Sequence, residues 1–185
     1  MANVKVVHPR VSYADLERWP EDGKRYELYD GEVFVVPAPL PRHQIVSQRL
    51  FERLQEFALH LGGIVICAPL DIAFSDYDVL QPDIVYFGPE RARLVDLDRV
   101  IRHAPDLCIE VISPSTESTD RGKKMQLFGR YGVAEYWIVD PRTATIEIYE
   151  LKEGQYLLRT TASDEVAVES GVLPGCSFRA GSVFP

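Results

Sequence analysis

The chain has 185 residues and a formal charge of −8. At roughly 150 residues per domain that is about one domain, long enough to bury a core of its own. Apolar residues make up 46% and charged residues 26%, as in ordinary globular chains, which excludes a disordered tail or a fibrous repeat. Uncharged stretches fall short of the ~18–20 apolar residues of a membrane helix, and Met1–Arg10 holds no apolar secretory core, so a cytoplasmic protein is expected. Cys67, Cys108 and Cys176 are odd in number and widely spaced, so they are expected to be reduced core residues. An acidic chain is a poor general coat for nucleic acid, although a metal site can reverse the local sign.

One domain is expected over the whole chain, 1–185, with regular structure from about Ser12. Ser12 and Asp15 have the form of a capping box, which predicts a short helix to about Trp19, stopped by Pro20. Tyr26–Val36, with Asp30-Gly31 at its centre, predicts a β-hairpin. Pro37, Pro39 and Pro41 enforce an extended connector. From about Arg42 to Leu61 the apolar residues Val46, Leu50, Leu54, Phe57 and Leu61 recur at helical steps, and Gly62-Gly63 closes that helix.

Strands follow. One is expected from Ile64 to Phe74 and a second from Ile84 to Phe87, entered through Gln81-Pro82-Asp83. Pro89–Arg102 is charged, and Leu107–Ile112 has the apolar run of a central buried strand. Asp120–Tyr131 is expected to be a helix and Glu135–Asp140 a strand. Thr145–Tyr149, Tyr156–Thr161 and Val166–Val168 complete a β meander. The order predicts an α/β (α+β) fold around a mixed sheet, with the Leu107 strand, the Asp120 helix and the Glu135 strand as a βαβ crossover.

Glu110 is the oddity. A carboxylate inside an apolar strand is costly unless it is paired, protonated or metal-bound. An ordinary buried ion pair or a solvent-facing position is the alternative. Asp83 enters the neighbouring strand, where a simple turn role competes. Lys124 lies early in the next helix, from which its head can reach back over the sheet or stay in solvent. Two acids and a lysine brought together suit phosphodiester hydrolysis: carboxylates hold Mg²⁺, the metal activates water, and the lysine stabilises charge.

The segments Tyr26-Glu-Leu-Tyr-Asp-Gly-Glu, Gln81-Pro-Asp, Ile109-Glu-Val-Ile-Ser-Pro-Ser-Thr, Asp120-Arg-Gly-Lys-Lys and Gly132-Val-Ala-Glu-Tyr-Trp-Ile-Val-Asp-Pro resemble the Uma2 family, also called DUF820. That family belongs to the PD-(D/E)xK, restriction-endonuclease-like nucleases. The resemblance implies a restriction-endonuclease-like core with a mixed sheet flanked by helices and a C-terminal β extension. It implies metal ligands at Asp83 and Glu110. It also implies a lysine moved from the usual position two residues on, Ile112 here, to Lys124, and a further acid at Glu27. The implied activity is a Mg²⁺-dependent endonuclease on DNA, with Mn²⁺ as a substitute and a homodimer allowed. An inactive nucleic-acid- or protein-binding module of the same fold, or a phosphodiesterase on RNA or nucleotides, is the alternative.

The other polar residues are read as structural. His43 is expected to cap its helix or face solvent, Glu135 to serve packing and hydrogen bonding, and Glu117 and Asp120 to complement a helix dipole. Ser113–Thr116 suits either a phosphate or a plain polar loop. Residues 147–169 carry a net −4 and residues 117–130 a net +2, which locates the acidity at the C-terminal side and a local basic helix beside the site.

Overall fold

The computed structural model describes residues 9–185, so the reading of Met1–Arg10 lies largely outside the described residues. A six-stranded mixed sheet of order β10-β9-β8-β7-β6-β3 forms the centre. Its members are β3 (Ile64–Cys67), β6 (Ile84–Phe87), β7 (Leu107–Val111), β8 (Glu135–Asp140), β9 (Thr145–Lys152) and β10 (Gln155–Ser163). β7 and β8 are parallel neighbours, as the crossover requires, and the other pairs are antiparallel.

Strand alternation sorts the core into two layers. Leu107, Ile109 and Val111 join Ile84 and Tyr86 against Val46, Leu50, Leu54 and Ala58 of the long helix α2 (Pro41–Leu61). Cys108 and Ile112 join Val85, Phe87, Tyr136 and Ile138 on the opposite face. There they meet Leu127 and Phe128 of a short helix (Met125–Arg130). Each such aliphatic or aromatic side chain gains about 1.5–3 kcal/mol from burial. α2 starts at Pro41, where a missing N–H costs nothing, and ends at Gly62, whose φ of 76° suits a residue without Cβ.

The N-terminal part forms a second, four-stranded sheet, β2-β1-β5-β4. A four-residue helix α1 (Tyr13–Leu16) is capped by Ser12 and Asp15 in the expected reciprocal box. β1 (Arg25–Tyr29) and β2 (Glu32–Val36) form the hairpin, and Asp30 and Gly31 both take positive φ at the turn. β4 (Ile72–Ala73) and β5 (Val79–Leu80) complete this sheet.

The single strand expected over Ile64–Phe74 is therefore two strands in two sheets. Ala68 N–H extends the β3–β6 pairing by one rung to the carbonyl of Asp83, and Pro69 has no N–H to carry it further. The helix expected from Asp120 also differs. It begins as α4 (Glu117–Thr119), widens into a π-helical turn over Asp120–Lys124, and continues as α5 (Met125–Arg130). In the charged segment only Pro89–Ala92 (α3) is helical. The meander extends the main sheet through β9 and β10, while β11 (Ala167–Glu169) and β12 (Ser177–Arg179) make a separate ribbon. Cys108 and Cys176 are buried, but Cys67 is exposed, because β3 is an edge strand.

Candidate metal-dependent hydrolytic site

β6 and β7 run antiparallel, with Ile84 opposite Ile109. One step further along the same register sets Asp83 opposite Glu110. The pairing is closed by a side chain, since Val111 N–H donates to Asp83 Oδ2 at 2.8 Å.

Glu110 shares its face with Cys108 and Ile112, the face covered by the helix that follows. The π-helical turn points two residues of that helix at it. Lys124 Nζ lies 3.0 Å from Glu110 Oε1, 3.1 Å from Glu27 Oε1 and 3.6 Å from Asp120 Oδ1. Lys124, Glu110, Glu27 and Asp120 are all buried. π-helical turns inside α-helices are rare and recur at functional sites. This one buries Asp120 and Lys124 together, whereas a dipole-complementing Asp120 would stay in solvent. The expectation for Asp120 is corrected accordingly.

Glu27 comes from the hairpin sheet. Its Oε1 also accepts from Gln81 N–H at 2.9 Å, and its Oε2 accepts from Tyr29 OH at 2.7 Å. Both its oxygens are therefore committed to protein donors. Glu27 buttresses the lysine and ties the small sheet to the residue two before Asp83.

His43 enters the cluster from the first turn of α2. Its Nε2 lies 3.0 Å from Asp83 Oδ2, and its Nδ1 lies 3.4 Å from Ser47 Oγ one turn on. A capping or surface role does not describe it. Its signal in the sequence was the spacing of His43 and Ser47, four residues apart on a helix whose next turn is buried. What α2 covers could not be read from that spacing. Glu135 has the structural role expected of it. Trp137 Nε1, Ser170 Oγ and Gly171 N–H donate to it at 2.7, 2.9 and 2.7 Å.

The electrostatics are unbalanced. Three carboxylates face one ammonium group. Burial pushes the Glu110 carboxyl well above its ordinary range; Lys124 pulls it back, and Asp120, Asp83 and Glu27 push it further up. Burial likewise raises Asp120 against the pull of Lys124. Lys124 loses solvation, but Glu110, Glu27 and Asp120 outweigh that loss and hold it charged, well above the usual lysine range. A buried excess of negative charge is costly without further positive charge.

The donor set fits a small hard cation. Only Oδ2 of Asp83 and Oε1 of Glu110 take part in the hydrogen bonds and ion pairs described, so each carboxylate has a second oxygen for a ligand. Gln81 Oε1, in the same cleft, is buried without a hydrogen-bond partner. Among the described residues no group of three or more His, Cys, Asp or Glu is placed to hold a metal ion without other ligands. Two carboxylates with open positions are nonetheless how Mg²⁺ is commonly held, the remaining positions going to water and phosphate oxygens.

These groups line one cleft of about 270 Å³. Its walls are the Pro37–Leu40 connector, the Ser113–Thr116 loop, and Pro141 with Arg142 at the end of β8. The loop is organised by its own side chains, with Ser113 N–H donating to Thr116 Oγ1 at 3.1 Å.

The Uma2 family model, described as "Putative restriction endonuclease", matches residues 13–181. The chain belongs to the Uma2 family. It is 28% identical over 174 residues to the uncharacterised protein slr1290 of Synechocystis, covering 88% of this chain and 86% of that one. Its fold is similar to the crystal structure of a protein described as "a putative nuclease belonging to DUF820" from Anabaena variabilis. The TM-score is 0.78 at 18% identity, over 94% of this chain and 97% of the other. The mixed sheet and its flanking helices are thus the architecture of that group. Among the described residues no helix is long and apolar enough to cross a membrane.

Proposed function

We propose that this Uma2 chain is a Mg²⁺-dependent endodeoxyribonuclease that uses Asp83 and Glu110 as metal ligands, with the Lys124 ammonium group, between Glu110 and Glu27, as the charge-stabilising cation of the site. The observation that carries the reading is the buried Lys124 with its three carboxylates, Lys124, Glu110 and Asp120 lining one cleft together with Asp83. The family's description supports a nuclease and directs the proposal to DNA.

A divalent ion held by Asp83 and Glu110 would supply Lewis acidity and a water of lowered pKa. The protein residues do the rest. Val111 N–H and His43 fix Asp83, so its free oxygen keeps one direction. Glu27 and Asp120 hold Lys124 in its charged form next to Glu110. From there the ammonium group stabilises negative charge on a phosphoryl oxygen or orients the attacking water. The apolar layers on both sides of the sheet keep these groups in a poorly solvated setting where such charge–charge effects are strong.

The test is cleavage of plasmid and linear DNA in Mg²⁺ or Mn²⁺. Asp83→Ala and Glu110→Ala are each expected to abolish it. Unchanged cleavage in both variants, or no cleavage of any DNA form by the wild type, overturns the reading. A non-catalytic binding module would show no divalent binding by calorimetry.

A further inference from the structure

The sequence places a basic helix at residues 117–130, but the structure spends most of that charge. Arg121 forks onto Glu147 at 2.6 and 2.9 Å and also meets Glu117 at 3.2 Å. Lys123 faces Glu32 at 3.5 Å, and Lys124 is buried in the site. Elsewhere the pattern repeats, with Arg10, Arg18, Lys24, Arg91, Arg93, Arg99, Arg102, Arg142, Lys152, Arg159 and Arg179 all held by carboxylates. Among the described residues, Arg25, Arg42, Arg49, Arg53 and Arg130 remain without a carboxylate within the 4.0 Å of an ion pair.

Three of these five lie on α2. At 100° per residue, Arg49 and Arg53 both fall within about 20° of Arg42 around the helix. They therefore form one ridge, and the distance along the axis from Arg42 to Arg53 is about 16 Å at 1.5 Å per residue. Arg42 lines the cleft, and so does Arg25 from the hairpin. Their guanidinium groups touch only backbone carbonyls, Pro141 O at 3.3 Å for Arg42 and Pro37 O at 3.2 Å for Arg25. Arg53 is exposed, and Arg49 is half-buried with a hydrogen bond to Phe184 O. Exposed Ile45 and Glu52 lie about 60° and 80° to one side of the ridge, and Glu56, about 40° off its line, marks its far end.

We infer that this ridge is the nucleic-acid backbone track of the protein, with phosphates seated on Arg42, Arg49 and Arg53 and the strand entering the cleft between Arg42 and Arg25. The inference rests on the nuclease reading for what happens in the cleft, but not for the binding itself. A chain of charge −8 repels a polyanion over most of its surface. A row of unneutralised arginines therefore sets where the strand lies and in which register it meets the acids. The spacing suits a backbone: 16 Å is the reach of several consecutive phosphates, which lie about 3.4 Å apart along each strand's axis. The ligand class is the sugar–phosphate chain, read by charge, not by base edges.

The test is fluorescence anisotropy of a labelled DNA duplex titrated over a salt series without divalent ion. Removing one phosphate contact lowers the slope of log K against log salt by about 0.9. Arg53→Gln is expected to lower it by about 0.9, and Arg49→Gln with Arg53→Gln by about 1.8, with binding weakened in parallel. Arg53→Lys restores the slope, and Arg130→Gln, off the ridge, leaves it unchanged. Thermal midpoints report whether Arg49→Gln disturbs the fold through Phe184, and the Arg53 variants carry the test if it does. In cleavage, Arg53→Gln raises KM and leaves kcat unchanged. An unchanged slope in the double variant, or an equal fall in Arg130→Gln, overturns the ridge. A wild type that binds with the expected slopes yet never cleaves supports the ridge and removes the nuclease reading.

Discussion

Replacing Lys124 with methionine removes the ammonium group and keeps most of the side-chain volume, so it isolates the charge. In the wild type two carboxylates approach Nζ at 3.0 and 3.1 Å. With an effective dielectric near 20, each such contact is worth roughly 5 kcal/mol of attraction, offset by several kcal/mol of desolvation per ion. What the variant feels is the penalty of leaving buried carboxylates unpaired, about 3–5 kcal/mol. In urea, at roughly 2 kcal/mol/M, that shifts the midpoint by about 2 M. The deficit depends on pH. Glu110 and Asp120 already sit above their ordinary values through burial, held down partly by Lys124, so the variant raises both further. A carboxyl with a raised folded value favours folding below its unfolded value of about 4, and that contribution is lost as pH rises through the folded value. The deficit is therefore expected to be largest near pH 8 and to shrink toward pH 5. Adding Glu27→Gln to Lys124→Met is expected to recover part of it. A midpoint at pH 8 within about 0.3 M of the wild type, or a deficit that grows on acidification, would refute the charge accounting.

Three further outcomes follow from individual contacts. His43→Ala is expected to weaken Mg²⁺ or Mn²⁺ binding by about 10–100-fold in calorimetry, with His43→Asn closer to wild type, because a carboxylate's outer partner fixes its direction; equal affinities would sink that role. Glu135→Ala strips the partner from Trp137 Nε1, Ser170 Oγ and Gly171 N–H, at about 1–3 kcal/mol per orphaned group, so a loss above 3 kcal/mol in urea is expected. A loss below 1 kcal/mol would contradict it. Gly31→Ala is expected to destabilise the hairpin by about 1 kcal/mol or more, since its φ is 79° and an added Cβ would meet Arg10 Cβ at 2.6 Å; an unchanged thermal midpoint would show that the turn relaxes.

The parts of this fold legible in the sequence are those written in local periodicity. Ile84–Phe87 and Glu135–Asp140 match their strands residue for residue, because continuous apolar runs bounded by Pro82 and Pro141 leave little freedom. The hairpin and the limits of α2 follow from Asp30-Gly31, Pro41 and Gly62 in the same way. What was not legible depends on pairing between distant segments. Ile64–Phe74 is expected as one strand, yet its halves join different sheets, because β3 pairs with β6 and β4 with β5. Asp120 carries no burial signal of its own, and the His43–Ser47 spacing does not say what α2 covers. Asp120 is placed by the packing of its helix over Glu110, and His43 by the packing of α2 that sets it 3.0 Å from Asp83.

That division explains why the site sits where it does. Asp83 directly precedes β6 and Glu110 directly follows the last β7 residue paired with β6, and Val111 N–H holds the Asp83 carboxylate, so their relation is inherited from the core ladder. Lys124 and Asp120, four residues apart and on one face, arrive on a helix that widens there into a π-helical turn, a rare form that recurs at functional sites. Three buried carboxylates to one lysine is a poor arrangement for stability alone. Glu110→Gln removes one of the uncompensated charges and leaves Lys124 paired with Glu27 and Asp120. It is expected to be at least as stable as the wild type near pH 8 without metal, while losing divalent binding. A fold that becomes more stable when its central acid is neutralised holds that acid for its chemistry. If Glu110→Gln unfolds more readily than the wild type in metal-free urea titrations, Glu110 is an architectural ion-pair partner of Lys124 and the site loses its main argument.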